Sequence, residues 1–548
     1  MRKKRILFCG EATYLNTGYA TYLREVIKRL HATGKYEIAE FASYGSNLDP
    51  KAASIPWGFF GNLPDKSVPE EQEKYDSNPI NQFGAWKFET VLLNFLPDIV
   101  CDIRDFWMFE YQERSPFRPF YNWVIMPTVD ASPQNEQWLS TFSNADASFA
   151  YSDWGLEVLK SESRGSINCL GSAPPSADAA YNPVEDKRSH KASMGFDPDS
   201  KIIGTVMRNQ RRKLFPDLFE AFKKFLNSSK KKDVFLYCHT SYPDLGWDIP
   251  KILNKYNISN KVLFTYSCGE CGHCFPSFFS DARSKCPKCG RFAASFSNVQ
   301  KGVSYEDLSK IMNTFDLYIQ YANSEGFGLP QVEAAACGVP VMRVDYSAMS
   351  SVVRKLGGTP LKPKALYNEL ETGCDRAVPD NDYTAKKIEE FFDMTEKEKE
   401  SLSKNTRLNF EKYYQWDKTA KKWEQYFDSV EVKPLEETWL SPIRKHTPKK
   451  VDSQNMSNSQ YARHLIADVL GEPEKLNTYF ESRLIRDLNY QMFINGMGDA
   501  YLNEDSFKFL KPLYEPFDRE KAYDMMVELC EVKNFWEEKR ERVKEYVK

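Results

Sequence analysis

The stretch from Phe315 to Val341, FDLYIQYANSEGFGLPQVEAAACGVPV, constrains this chain more than any other. Leu317, Tyr318 and Ile319 predict a strand, Ser324 to Gly328 a glycine-bearing loop, and a helix is expected to open at Pro330 and close before Gly338. Proline is preorganised for the first helical position and glycine suits the position just past the end, so both boundaries are marked. Two carboxylates, Glu325 on the loop and Glu333 one turn into the helix, stand with seven residues between them. A helix N-terminus presents unpaired N–H groups and a positive dipole end, and glycines at 326 and 328 let a ligand approach the backbone closely. A diphosphate is held by such a loop.

The full string SEGFGLPxxEAxAxGxPV resembles the retaining glycosyltransferases of family 4, whose GT-B fold is α/β and sets two Rossmann-like domains face to face. The resemblance implies that Glu325 sits beside the transferred sugar. The backbone of Gly326, Phe327, Gly328 and Leu329 would touch sugar and diphosphate, and Glu333 would bind the nucleotide ribose.

The rest of the chain is consistent with that frame. Its 548 residues suggest roughly three or four domains. Lys plus Arg (74) and Asp plus Glu (77) nearly cancel to a net charge of −3, so a nucleic-acid partner would need a local basic patch. The opening MRKKR is followed by an apolar run that ends at Glu11, too short for a secretory signal, and no run of about 18 apolar residues predicts a membrane span. Of 12 cysteines, five lie between Cys268 and Cys289 and the others are scattered. That pattern suits a reducing compartment, the cytoplasm, with one metal site rather than a disulfide framework.

Ile6 to Phe8 reads as a first strand, followed by a loop and a helix with Leu23, Val26, Ile27 and Leu30 on one face. A strand, loop and helix opening the chain fit a doubly wound domain that binds ligands at the carboxyl ends of its strands. The resemblance places Asn16, Thr17 and Gly18 on the acceptor side, where many relatives have paired glycines and this chain has Gly18-Tyr19. Residues Asn47 to Lys87 read as a long surface excursion. WVIMPTVD, from Trp123 to Asp130, resembles the strand whose end usually carries a histidine facing the donor sugar; Asp130 is the nearest polar candidate here, for the sugar or for an acceptor hydroxyl, with ordinary strand-end capping as its other reading.

After KIIGTV (Lys201 to Val206) come Arg208, Arg211, Arg212 and Lys213. Cations at the end of a strand can neutralise a diphosphate leaving group. Arg208 and Lys213 echo the family's G-R-x4-K, with Met207 in place of the glycine, and are expected in that catalytic role. No divalent cation is implied at the diphosphate.

Between KVLFTY (Lys261 to Tyr266) and the helix at Ser304, roughly 35 residues are inserted relative to the family. They carry two C-x2-C-G turns, Cys268 with Cys271 and Cys286 with Cys289. Four thiolates satisfy one tetrahedral, structural zinc, and the arrangement resembles a zinc ribbon over 267–297; His273 and Cys274 also lie within reach, and Cys274 is the candidate to replace one ligand. Phe275, Phe278, Phe279, Arg283, Lys285, Lys288 and Arg291 are available for acceptor, protein or nucleic-acid contact, the alternative being a self-stapled loop.

The expected domains are an N-terminal acceptor domain over 1–187, a donor domain over 188–412, a crossover helix over 413–430, a linker over 431–460 and a helical extension over 461–548 suited to oligomerisation or docking. The function expected is retaining transfer of a sugar from a nucleotide-sugar to a glycan, a lipid-linked sugar or a modified nucleobase. A GT-B nucleotide-sugar epimerase and a non-catalytic binding scaffold are the rival readings.

Overall fold

In the computed structural model of the chain, the structure describes residues 2–440 apart from 116, 232, 281 and 299–301, together with residues 455, 456, 464, 520, 523, 524 and 527. Nearly all of the helical extension expected over 461–548, and most of the linker expected over 431–460, fall outside the described residues. The chain divides into two units. One holds residues 1–127, 140–148 and the segment from Tyr426; the other holds residues 128–139 and 149–425.

In the first unit the strand Lys4–Glu11, buried from Ile6 on, lies between Tyr36–Ser43 and Ile99–Asp102. Gly58–Gly61 flanks the former; Asn122–Ile125 and then Ala147–Ala150 continue beyond the latter, all parallel. Counted along the chain, the order is 3-2-1-4-5-6, that of a doubly wound sheet. The helix Gly18–Ala32 buries Leu23, Val26, Ile27 and Leu30 as its periodicity requires. The stretch read as a surface excursion contributes an edge strand, Gly58–Gly61, which GFFG does not announce because two phenylalanines between glycines carry no alternation.

Two tethers in this unit come from the far end of the chain. Tyr426 donates its hydroxyl to Asn122 Oδ1 (2.6 Å), and Lys4 Nζ donates to the carbonyls of Phe427 and Val430 (2.6 Å each). Trp439, inside the segment read as a linker, is 1 % exposed; its Nε1 donates to Pro97 O (3.0 Å) and its ring packs on Phe117 and Phe120. A lone tryptophan among prolines and charges gives the sequence no period by which to show this.

In the second unit the strands run Cys274–Phe278, Val262–Cys268, Val234–His239, Lys201–Val206, Leu317–Gln320, Val341–Val344 and Thr359–Leu361. All neighbours are parallel except Cys274–Phe278, which runs antiparallel along the outer side of Val262–Cys268. The helix Phe215–Ser228 lays Leu218, Phe219, Phe222 and Phe225 on the core of this sheet. A separate hairpin, Pro363–Asn368 with Asp375–Pro379, has no counterpart in the sequence reading. Among the described residues no helix is long and apolar enough to cross a membrane.

Candidate active site

Leu317–Gln320 is a fully buried strand, and Leu329–Ala336 is the helix that follows it. Between them Gly328 caps the helix in the left-handed region (φ 81°, ψ 69°), and Gly338, just past the end, is also left-handed (φ 71°). A Cβ on Gly328 would stand 2.5 Å from Arg343 Nη2, and one on Gly326 would stand 2.3 Å from Thr128 Cγ2. Both glycines are therefore required by close approach, and Gly328 by its backbone angle as well. Gly328→Ala is expected to lower stability by about 1–3 kcal/mol, from the left-handed cost plus the displaced guanidinium, read as a drop in thermal unfolding temperature.

The N–H groups of Gly326, Phe327, Gly328 and Leu329 make no hydrogen bond among the described residues. Four successive N–H groups without a partner at the positive end of a helix are the kind of backbone that can hold an anion. The loop itself is held from several sides. Glu325 N–H donates to Ser347 Oγ (3.0 Å), Gln331 Nε2 and Arg343 Nη1 donate to Phe327 O (3.0 and 3.1 Å), and Arg376 Nη1 donates to Ser324 Oγ (2.6 Å). Ser347 has φ 54° and ψ −155°, a region that side chains avoid, so the contact with Glu325 is made at the cost of local strain.

Lys213 reaches Glu325 across 112 residues of sequence because the segment before the helix Phe215–Ser228 is strapped to the strand end. Lys213 bridges Ala322, Leu214 N–H donates to Tyr321 O (3.1 Å) and Asn323 N–H donates to Arg212 O (3.0 Å). Lys213 Nζ and Glu325 are in direct contact, Arg212 Nη1 is 2.8 Å from Glu325 Oε2, and Gln320 Nε2 donates to Oε1 (3.1 Å). Burial pushes the Lys213 ammonium well down, and the neighbouring Arg212 and Arg343 push it further. A lysine so placed gains most from a ligand that brings negative charge.

Of the two cations expected beside the leaving group, the structure brings only Lys213 to Glu325. Arg208 lies 45 % exposed in an ion pair with Asp244 (2.9 Å), and Arg212 takes the position beside the carboxylate. The spacing of the RNQRRK run does not say which of its cations meets Glu325; the strap to residues 321–323 does. Asp130 accepts from Arg376 Nη1 (2.9 Å) and Ser324 Oγ (3.1 Å), while Arg376 also binds Glu369, so Asp130 anchors the loop through a residue of the hairpin. In the first unit Thr17 caps the helix Gly18–Ala32 by accepting from Ala20 N–H (3.2 Å) and also bonds Glu11. Asn16, Thr17 and Gly18 are exposed, and a Cβ on Gly18 would meet nothing within 4 Å, so no steric demand fixes a glycine there.

Glu333 is 6 % exposed, and burial pushes its carboxyl up to about 7. The nearby Tyr181 hydroxyl opposes that rise, though without a hydrogen bond of ordinary geometry, and Asp178 adds to it.

The four cysteines of the insertion also converge. Cys268, Cys271, Cys286 and Cys289 have Sγ atoms all within 4.8 Å of one another, with pairs at 3.6 and 3.7 Å. Disulfide sulfurs would be about 2.05 Å apart, whereas tetrahedral zinc with bonds near 2.3 Å sets its sulfurs about 3.8 Å apart. Gly272 and Gly290 are left-handed (φ 70° and 74°) and donate to the carbonyls of Cys268 and Cys286 (3.0 and 2.9 Å), closing each turn. Cys274 is outside the cluster; its Sγ faces Gly272 O at 3.7 Å. Phe275 and Phe279, read as available for contacts, instead pack on the core of the unit, Phe279 against Phe264, Phe296 and Tyr242; Phe278 is exposed.

Residues 297–408 match the family described as Glycosyl transferases group 1. No curated protein matches the chain in sequence. Among solved structures it is similar to sucrose-phosphate synthase from Thermosynechococcus elongatus (15 % identity, TM-score 0.55, covering 78 % of this chain and 98 % of that one). Anabaena HepE in complex with UDP and glucose is also similar (13 %, TM-score 0.54, 78 % and 100 %). So is WaaG, a glycosyltransferase involved in lipopolysaccharide biosynthesis (12 %, TM-score 0.51, 78 % and 100 %). At such identities the likeness concerns the fold. By that α/β, GT-B-like fold and by residues 297–408, the chain carries a group 1 glycosyl transferase domain.

Proposed function

We propose that the protein is a retaining glycosyltransferase that takes a sugar from a nucleoside-diphosphate donor. The observation that carries this reading is the set of free N–H groups over 326–329 next to the Lys213–Glu325–Arg212 cluster. The N–H groups and Lys213 would meet the diphosphate, Arg212 would steady Glu325 beside the sugar, and Glu333 would accept from the ribose hydroxyls. The bond from the anomeric carbon to the phosphate oxygen breaks while the acceptor oxygen bonds to the same face, and the departing phosphate takes the acceptor's proton. Side-chain cations and N–H groups supply the charge, so this reading needs no divalent cation at the diphosphate.

Residues 188–412 would form the donor domain, with Asn16, Thr17 and Gly18 serving the acceptor. HepE is seen with UDP and glucose, which favours a nucleoside diphosphate as the ligand class. The four thiolates suit one zinc ion, held by Cys268, Cys271, Cys286 and Cys289; with no open ligand position it would be structural. A panel of nucleotide-sugars, followed by thermal stabilisation and by release of free sugar or nucleotide, tests the reading. A single stabilising donor that no longer stabilises Glu333→Ala is expected; no stabilisation by any donor contradicts it. Release of an epimerised nucleotide-sugar without acceptor would instead favour the epimerase.

Glu333 adds a pH signature. Its folded-state value, about 7, lies above its ordinary 4.5, so the folded chain keeps a proton that the unfolded chain releases. Stability therefore falls as pH rises from about 4.5 to 7, by about 3 kcal/mol at most from this group. Glu40, likewise raised to about 7 by burial, has the same sign, so the test is the difference between wild type and Glu333→Gln. The variant's unfolding temperature is expected to fall less between pH 5 and 8.

A further inference from the structure

The strand Val341–Val344 is buried at every residue, yet it contains an arginine. Arg343 is 0 % exposed. Its Nη1 donates to Phe327 O (3.1 Å), and its Nε and Nη2 have no hydrogen-bond partner among the described residues. Among the described residues no carboxylate pairs with it: Glu325 is taken by Lys213 and Arg212, and Asp130 and Glu369 are taken by Arg376. Gly328, directly above, has no Cβ, and one would stand 2.5 Å from Nη2. The guanidinium thus lies immediately beneath the loop whose N–H groups are free.

We propose that Arg343 is a positioning cation for an anion bound on the loop 326–329. It acts by orienting the Phe327–Gly328 peptide and by leaving its charge uncompensated until the anion arrives. In a trans peptide the C=O and N–H point in opposite directions. Holding Phe327 O toward the guanidinium therefore turns the Gly328 N–H, one of the loop's unpartnered donors, away from it. An unpaired charge in a low-dielectric site is costly to the empty protein, and an arriving phosphate oxygen relieves that cost. Burial already pushes the guanidinium down to about 9, which agrees with a charge that lacks a partner.

This inference rests on the donor-site reading, but its test separates the two. The full-length chain is titrated with inorganic pyrophosphate by calorimetry, as wild type, Arg343→Met and Arg343→Lys, and each is melted without ligand. Arg343→Met is expected to bind pyrophosphate about tenfold more weakly or worse. It should also melt about 2–6 °C higher, because an uncompensated charge has been removed. The carbonyl of Phe327 keeps its bond from Gln331 Nε2, so no acceptor is orphaned. Arg343→Lys should recover most of the binding. A purely structural arginine would give the reverse pattern, a lower melting temperature with unchanged affinity in both variants, and that result would overturn the proposal. Wild type that binds pyrophosphate no better than Arg343→Met sinks this inference alone. Wild type that does not bind pyrophosphate sinks the donor-site reading, and this inference with it.

Discussion

Lys213→Met is expected to lower transfer turnover by about 10²–10³-fold while changing the Michaelis constant for the donor far less. The reason lies in when the negative charge appears. Lys213 is buried, in contact with Glu325, and crowded by the cations of Arg212 and Arg343. In the resting enzyme those neighbours limit what its charge contributes. On the proposed reading, charge would build on the departing phosphate as the anomeric bond breaks, and a fixed, buried ammonium would answer it without reorganisation. Glu325 keeps its bonds from Arg212 and Gln320 when the Lys213 charge is deleted, so thermal stability should stay close to wild type. Steady-state kinetics with the donor found in the panel, together with a melting curve, check both halves. A variant that unfolds, or one whose loss lies wholly in the Michaelis constant, would show that Lys213 holds Glu325 or the ground state instead.

Cys286→Ser is expected to take bound zinc from one ion per chain to none and to lower the unfolding temperature by about 5–10 °C, with nucleotide-sugar affinity little changed. Cys286 is fully buried in the small core of the insertion with Cys268 and Ala294. The strands that flank the cluster, Cys274–Phe278 and Ala294–Phe296, both pair with Val262–Cys268 and so cover the end of the main sheet. Their aromatic residues, Phe275 and Phe296, pack on the main core together with Phe279. Without a metal there, the two turns would lose their common centre and the covering strands should loosen, exposing an edge to pairing with other chains. The strand that ends at Glu325's loop is separated from Val262–Cys268 by two others, which is why the donor should still bind. Metal analysis, melting and donor titration test this together; a variant that keeps its stability but loses turnover would make the metal catalytic.

The sequence made the central unit readable because its signals are local. A proline at the start of the helix Leu329–Ala336, left-handed glycines at both its ends, and a buried strand before it each act within a few residues. The two C-x2-C-G turns were readable for the same reason. What stayed hidden depends on long-range register. Arg208 and Arg212 are chemically equivalent in the sequence, and only the strap between residues 212–214 and 321–323 decides which one meets Glu325. Arg343 reads as an interruption in an apolar strand, and nothing local says that its head lies under a glycine loop. Arg376 comes from a hairpin with no periodic signature, and Ser347 occupies strained backbone that propensity would never assign to it.

The central claim is best tested by a crystal of the full-length chain soaked with the nucleoside diphosphate of its preferred donor. The diphosphate is predicted to lie against the N–H groups of residues 326–329 and within reach of Lys213, with the ribose hydroxyls on Glu333. A nucleotide bound elsewhere, with that loop left bare, would contradict the account.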